Sequence, residues 1–160
     1  MINISEENIR EVLEIYKPEQ RVLKSASIGY PRIEGTFLVG PTCYTIGPLE
    51  HATDIDIQLC LNQLAYVGLS EAIRHGLDSI FEDINFKNLQ KEGMYIIESN
   101  KRFKRQISPN KYITGDIIIK NKIKRKGIIL INTEFQFENK SCFGNLELAI
   151  IDKQIKGKTK

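Results

Sequence analysis

The sequence predicts an α+β domain in which a curved antiparallel sheet of about six strands wraps around one long buried helix. Three observations carry this reading. The longest apolar run of the chain lies within DIDIQLCLNQLAYVGLSEA, at 54–72, and sets apolar residues on nearly every face of a helix. A helix that is apolar all round is buried. From Met94 onward, alternating apolar and polar residues recur in long segments separated by turn residues, the pattern of half-buried antiparallel strands. A sheet covers such a helix on more than one side only by curling around it.

Taken in order, Ser5 followed by Glu6 and Glu7 reads as a helix start, with Ile9, Val12, Leu13 and Tyr16 at helical spacing and Pro18 ending it by about Lys17. RVLKSASIGY (21–30) and RIEGTFLV (32–39) alternate as strands joined by a hairpin at Gly29, Tyr30 and Pro31. A loop with breakers Gly47 and Pro48 leads to the long helix. Thr53 suits its N-cap and Asp54 and Asp56 its first turn, with Asp56 able to close a capping box. Arg74, His75 and Gly76 form its stop. Asn62 and Gln63 interrupt the apolar run, and buried amides need partners or cost roughly 1–3 kcal/mol each. After an irregular or short helical connection over 77–93, strands are expected at 94–107, 112–124, 127–138 and 141–152. This is the hotdog arrangement. A single domain is expected over 1–152, followed by a basic flexible tail at 153–160. Pairing of the sheet edge implies a homodimer or a higher symmetric oligomer.

With 160 residues, the chain is long enough for one domain with a core. A hydrophobic content of 41% and a charged content of 27% fit a globular protein, and a net charge of +3 does not by itself indicate a nucleic-acid partner. No apolar stretch reaches the ~18–20 residues of a membrane span. The acidic start MINISEENIREV lacks the apolar core of a signal peptide, so a cytoplasmic location is expected. Cys43, Cys60 and Cys142 are odd in number and lack CxxC spacing, which argues against a disulfide framework and a zinc site. No cofactor or metal is expected.

Four blocks stand in order along the chain: VLEIY (12–16), LCLNQLAY (59–66) with His51 before it, RFKRQISPNKY (102–112) and GNLELAIID (144–152). They resemble, in the same order, segments of the FcoT-like long-chain acyl thioesterases. The resemblance implies a hotdog fold and hydrolysis of long-chain fatty acyl thioesters, on CoA or on an acyl carrier protein. It also implies an alternative reaction, the addition of glycine to the β-carbon of a (2E)-enoyl chain on a carrier protein in isonitrile lipopeptide synthesis. A third reading is a non-catalytic acyl-thioester-binding protein. The family's two site tyrosines fall on Tyr16 and Tyr44, and its helix asparagine falls on Asn62. Its other asparagine falls on Thr53, a departure, and Glu50 stands where the family has glycine.

Within this resemblance, Asn62 is expected to bond a thioester carbonyl or a water. Tyr44 and Tyr16 offer hydroxyls to developing negative charge, and Tyr66 shares the Asn62 face one turn on. Histidine suits general-base work near neutral pH, which makes His51 a candidate and Glu50 a weaker one. The N–H groups around Thr53 offer an electropositive end for a carbonyl oxygen. The basic run of Lys101, Arg102, Lys104 and Arg105 is expected to hold CoA phosphates or meet an acidic carrier protein. The acyl chain is expected in a tunnel between helix and sheet. Cys60 reads as a small buried apolar residue, and nothing near Cys43 in the sequence activates its thiol.

Overall fold

The computed structural model describes residues 1–40 and 45–151, apart from the side chains of Lys91 and Glu92. Tyr44, Cys43 and the 153–160 tail therefore lie outside the described residues. Seven strands form one antiparallel sheet: β1 (Ile2–Asn3), β2 (Leu23–Gly29), β3 (Arg32–Leu38), β4 (Met94–Phe103), β5 (Tyr112–Arg125), β6 (Ile128–Phe137) and β7 (Cys142–Ile151). Their spatial order is β1-β2-β3-β5-β6-β7-β4. The helices are α1 (Glu6–Val12), α2 (Asp54–Arg74) and α3 (Phe86–Glu92). This is the expected hotdog fold, with β1 as a strand the sequence pattern did not signal. Two residues are too few for an alternation to be read.

Local chemistry sets the boundaries. Ser5 caps α1 through its side chain, which accepts from the Asn8 N–H. Tyr30 and Pro31 join β2 and β3 through a cis peptide bond. The β5–β6 turn uses Lys126 and Gly127, and the β6–β7 turn uses Glu138, Asn139 and Lys140, all at positive φ. At the start of α2 both halves of the capping box are present: the Thr53 hydroxyl accepts from the Asp56 N–H, and the Asp56 carboxylate accepts from the Thr53 N–H at 2.8 Å.

The core lies between α2 and the sheet. Phe37, Ile57, Leu61, Leu64, Val67, Ile131 and Phe137 are wholly buried there. Two glycines mark how closely the layers meet. A Cβ on Gly68 would lie 2.3 Å from Cδ1 of Ile33, and one on Gly35 would lie 2.8 Å from Cδ1 of Leu64. At these points the helix–sheet interface is filled by side chains. The helix α2 is not buried all round. Ile55 is 57% exposed, and Gln58, Leu59, Asn62 and Tyr66 are half-buried.

Candidate active site

The two central amides of α2 point in different directions and do different work. Gln63 is 0% exposed. Its Oε1 accepts the N–H groups of Val22 and Leu23, each at 3.0 Å, and its Nε2 donates to the carbonyl of Gln20 at 2.6 Å. It ties the helix to the start of β2 and satisfies backbone that would otherwise be buried unpaired. Asn62 is half-buried. Its Oδ1 accepts from Gln58 Nε2 at 2.9 Å, and its NH2 makes no hydrogen bond among the described residues.

Asn62 lies in a row of residues four apart, Asp54, Gln58, Asn62, Tyr66 and Ser70, that winds roughly 160° around α2 from exposed Asp54 to buried Ser70. At its lower end the row meets β4. The Ser99 hydroxyl donates to Gln58 Oε1 at 2.8 Å, and Lys101 Nζ donates to Ser99 Oγ at 2.8 Å. Lys101 also pairs with Asp54 at 3.1 Å, and its side chain is only 7% exposed. Its place is inside, beside Ser99 two residues back on the same strand face. The expected basic cluster therefore divides. Arg102, Lys104 and Arg105 stay exposed, with the Lys104 ammonium 5.1 Å from the centre of the Phe143 ring and an Arg105 N–H donating to the Asn139 carbonyl at 3.1 Å.

Above Asn62 the row becomes aromatic. The Tyr66 ring lies edge-to-face on Tyr16 at 6.4 Å and on Phe86 of α3 at 6.5 Å. Burial raises the Tyr16 phenol far above its ordinary value, with the neighbouring Tyr66 adding to it, and burial raises Tyr66 too. Both hydroxyls are therefore protonated at neutral pH and serve as hydrogen-bond donors, not bases. Arg21 lies beside Tyr16, donating from Nε to its carbonyl at 3.0 Å. Beyond the aromatic group opens a cleft of about 1240 Å³ between α1, the upper half of α2 and the connector with α3, with Val12, Ile15, Ile73, Phe86 and Leu89 among its walls.

The remaining expected residues lie apart from Asn62. His51 is exposed and makes no hydrogen bond or ion pair among the described residues. Thr53 is engaged in the capping box. At 1.5 Å rise per residue, Thr53 lies roughly 13 Å along the axis from Asn62. The helix N-terminus and the Asn62 amide therefore cannot act on one carbonyl within one chain. The N-terminus also already carries the Asp54 and Asp56 carboxylates. Glu50 is exposed. Cys60 is wholly buried, and burial, with Asp56 adding to it, pushes its thiol up. Among the described residues no three His, Cys, Asp or Glu side chains group closely enough to hold a metal, and no helix is long and apolar enough to cross a membrane.

Sequence reasoning missed Gln58, Ser99, Lys101 as an inward residue, Arg21 and Phe86. The four-residue spacing of Gln58 from Asn62 and the two-residue spacing of Ser99 from Lys101 were the available signals. Nothing local marks Arg21 or Phe86.

Comparison with known proteins agrees with this architecture. A solved thioesterase, HI1161 from Haemophilus influenzae, superposes with a TM-score of 0.56 at 16% identity, covering 93% of this chain and 92% of that one. A mutant of the thioesterase PA1618 from Pseudomonas aeruginosa gives 0.57 at 10% identity, covering 92% and 94%. Both likenesses speak to the fold. A (2E)-enoyl-[ACP] glycyltransferase from Streptomyces coeruleorubidus is 22% identical over 159 residues, covering 90% of this chain and 95% of its own length. The sequence model of the FcoT-like thioesterase domain matches residues 11–150, and the chain belongs to that family.

Proposed function

We propose that this protein hydrolyses long-chain fatty acyl thioesters, carried on CoA or on an acyl carrier protein, in the cytoplasm. The observation that carries the reading is the set of donors at Asn62, Tyr66 and Tyr16 near a cleft that shares Phe86 with them. The Asn62 NH2, which makes no hydrogen bond among the described residues, lies one turn from Tyr66, and Tyr66 packs on Tyr16 and on Phe86 at the rim of a partly apolar cleft. A thioester head fits the polar part and its acyl chain fits the cleft. The cleft, about 1240 Å³, is open to solvent and has Glu14, Arg74 and Asp83 beside its apolar walls, where an acyl chain could lie. Water adds to the carbonyl carbon, the carbon–sulfur bond breaks, and free acid and thiol leave. The negative charge that develops on the carbonyl oxygen is stabilised by donors already in position.

The sequence suggested polarisation of the carbonyl at the helix N-terminus. We favour Asn62 instead, because the capping box uses the Thr53 and Asp56 N–H groups and two carboxylates crowd that end. Phenols held protonated at Tyr16 and Tyr66 suit donation to an oxyanion. Tyr44, outside the described residues, keeps the same role as a proposal. The exposed Arg102, Lys104 and Arg105 are proposed to meet CoA phosphates or an acidic carrier protein. A homodimer is proposed through β4. This strand is a sheet edge that exposes Tyr95, Ile96 and Ile97 at 50%, 40% and 54%, whereas the opposite edge, β1, has only two residues.

A second reading is favoured by the glycyltransferase relative and by Arg21. Here the same polarised carbonyl makes the β-carbon of an enoyl chain electrophilic, and glycine adds through its nitrogen with the thioester kept. The Arg21 guanidinium beside Tyr16 would hold the glycine carboxylate. One experiment separates the two. The purified protein is incubated with palmitoyl-CoA, and separately with a (2E)-enoyl carrier protein plus glycine, and both are followed by mass spectrometry. Release of palmitate supports hydrolysis. A mass gain of one glycine on an intact carrier thioester transfers the assignment to addition. Neither product from folded protein leaves the non-catalytic binding reading and refutes both reactions.

A further inference from the structure

The hydrogen bonds behind Asn62 run in one direction, beginning at a group that can only donate. A lysine ammonium carries three donors and no acceptor. Lys101 Nζ, 2.8 Å from Ser99 Oγ, is therefore the donor at that contact and occupies a lone pair of the hydroxyl. In the structure the serine O–H donates to the Gln58 carbonyl oxygen at 2.8 Å. With its oxygen turned to Ser99, Gln58 presents its NH2 to Asn62 at 2.9 Å. Asn62 must in turn offer its oxygen inward, so its NH2 is the group left facing outward.

We propose that Lys101, Ser99 and Gln58 form a positioning relay that fixes Asn62 as a hydrogen-bond donor toward the acyl carbonyl oxygen, a role that rests on the thioester reading above. The relay's cation is nearly buried, with a side chain 7% exposed, and is held from the other side by Asp54 at 3.1 Å. Each bond points the same way, so each strengthens the next and polarises the final NH2. A tie that only fastened α2 to β4 would be complete at Gln58 and Ser99. The continuation to Asn62, whose NH2 has no partner among the described residues, is what a tie does not require.

The test turns the chain around. In Gln58→Glu one carboxylate oxygen still accepts from Ser99, but the other cannot donate to Asn62. Asn62 then directs its NH2 inward and its oxygen at the substrate. With palmitoyl-CoA, kcat is expected to fall roughly 100-fold while KM changes little, because the lost bond is one made in the transition state. Ser99→Thr, which keeps the hydroxyl, is expected to retain wild-type kcat, and Ser99→Ala to lose part of it. Wild-type kcat in Gln58→Glu overturns the relay. So does equal impairment of the Thr and Ala variants. Side-chain amide NMR of the wild-type protein reads the direction independently of turnover. NOEs from the Gln58 NH2 protons to Asn62 and not to the Ser99 Hβ protons support the relay, and the opposite pattern overturns it. If the NMR pattern holds while palmitoyl-CoA is not cleaved, the thioester reading fails and the orientation of Asn62 stands.

Discussion

Replacing Gln63 by methionine removes three hydrogen bonds without opening much space. The bonds from the Val22 and Leu23 N–H groups, each at 3.0 Å, and the bond to the Gln20 carbonyl at 2.6 Å are all lost. Val22 and Leu23 are 7% and 3% exposed, so water does not readily replace the amide there. Each buried donor left unpaired costs about 1–3 kcal/mol, giving about 2–6 kcal/mol for the two. That is a large share of the ~5–15 kcal/mol of a typical domain. At roughly 2–4 °C per kcal/mol, the midpoint of thermal unfolding should fall by on the order of 10 °C. Urea unfolding followed by circular dichroism checks this, with the slope against denaturant unchanged and the midpoint lowered. Asn62→Ala is the control. Its single bond to Gln58 lies on a half-buried face, so its loss should cost no more than about 1 kcal/mol. Equal stability of Gln63→Met and wild type would refute the assignment of Gln63 as the structural amide.

Tyr30, Asp78 and Lys122 form a cluster that fastens the segment after α2 to the far end of β5. The tyrosine hydroxyl donates to Asp78 at 2.5 Å, and Lys122 bonds both partners. Burial opposes the charge on Asp78, but the Lys122 and Tyr30 hydrogen bonds outweigh it and hold the carboxyl below its ordinary value; burial likewise opposes the charge on Lys122, and its bonds to Asp78 and Tyr30 hold it above. The stabilisation is thus present between the two unfolded-state values, is lost as pH falls through the lowered Asp78 value, and is lost as pH rises through the raised Lys122 value. Lys122→Met should lower the melting temperature at pH 7, and its difference from wild type should shrink below about pH 4, where an unfolded carboxylate protonates. Gly68→Ala should destabilise. The gain in helix propensity of about 1 kcal/mol is opposed by overpacking of about 1–3 kcal/mol, because Cγ1 and Cγ2 of Ile33 as well as Cδ1 lie within 2.9 Å of the new Cβ. Urea midpoints give the sign. Ile73→Trp should narrow the cleft and shift preference from palmitoyl-CoA toward hexanoyl-CoA, read as the ratio of kcat/KM values.

The sequence carried most of the fold because most of its signals are local. The capping box of Thr53 and Asp56 spans one helical turn, and the turns around Lys126, Gly127, Asn139 and Lys140 announce themselves through residue type. The site was legible only in part. Asn62 and Gln63 are neighbours in sequence, and nothing near them says which faces the start of β2 and which faces outward. That depends on how α2 is rotated over the sheet. Lys101 looked like one of a run of surface charges, although the two-residue period of β4 sets it on the same face as Ser99. The cleft beside α3 was not legible because its outer wall is the connector, which folds as α3 and sets Phe86 against Tyr66. No periodicity over 77–93 foretells that contact.

The central claim is that the Asn62 NH2 polarises an acyl thioester carbonyl, and the most direct measurement is kcat for palmitoyl-CoA in wild type and Asn62→Asp. The substitution keeps size and shape and replaces the donor with an oxygen. The account predicts active wild type and a fall in kcat of roughly 100-fold, the loss seen when a single oxyanion donor is removed. Undiminished kcat in a folded Asn62→Asp protein would contradict it.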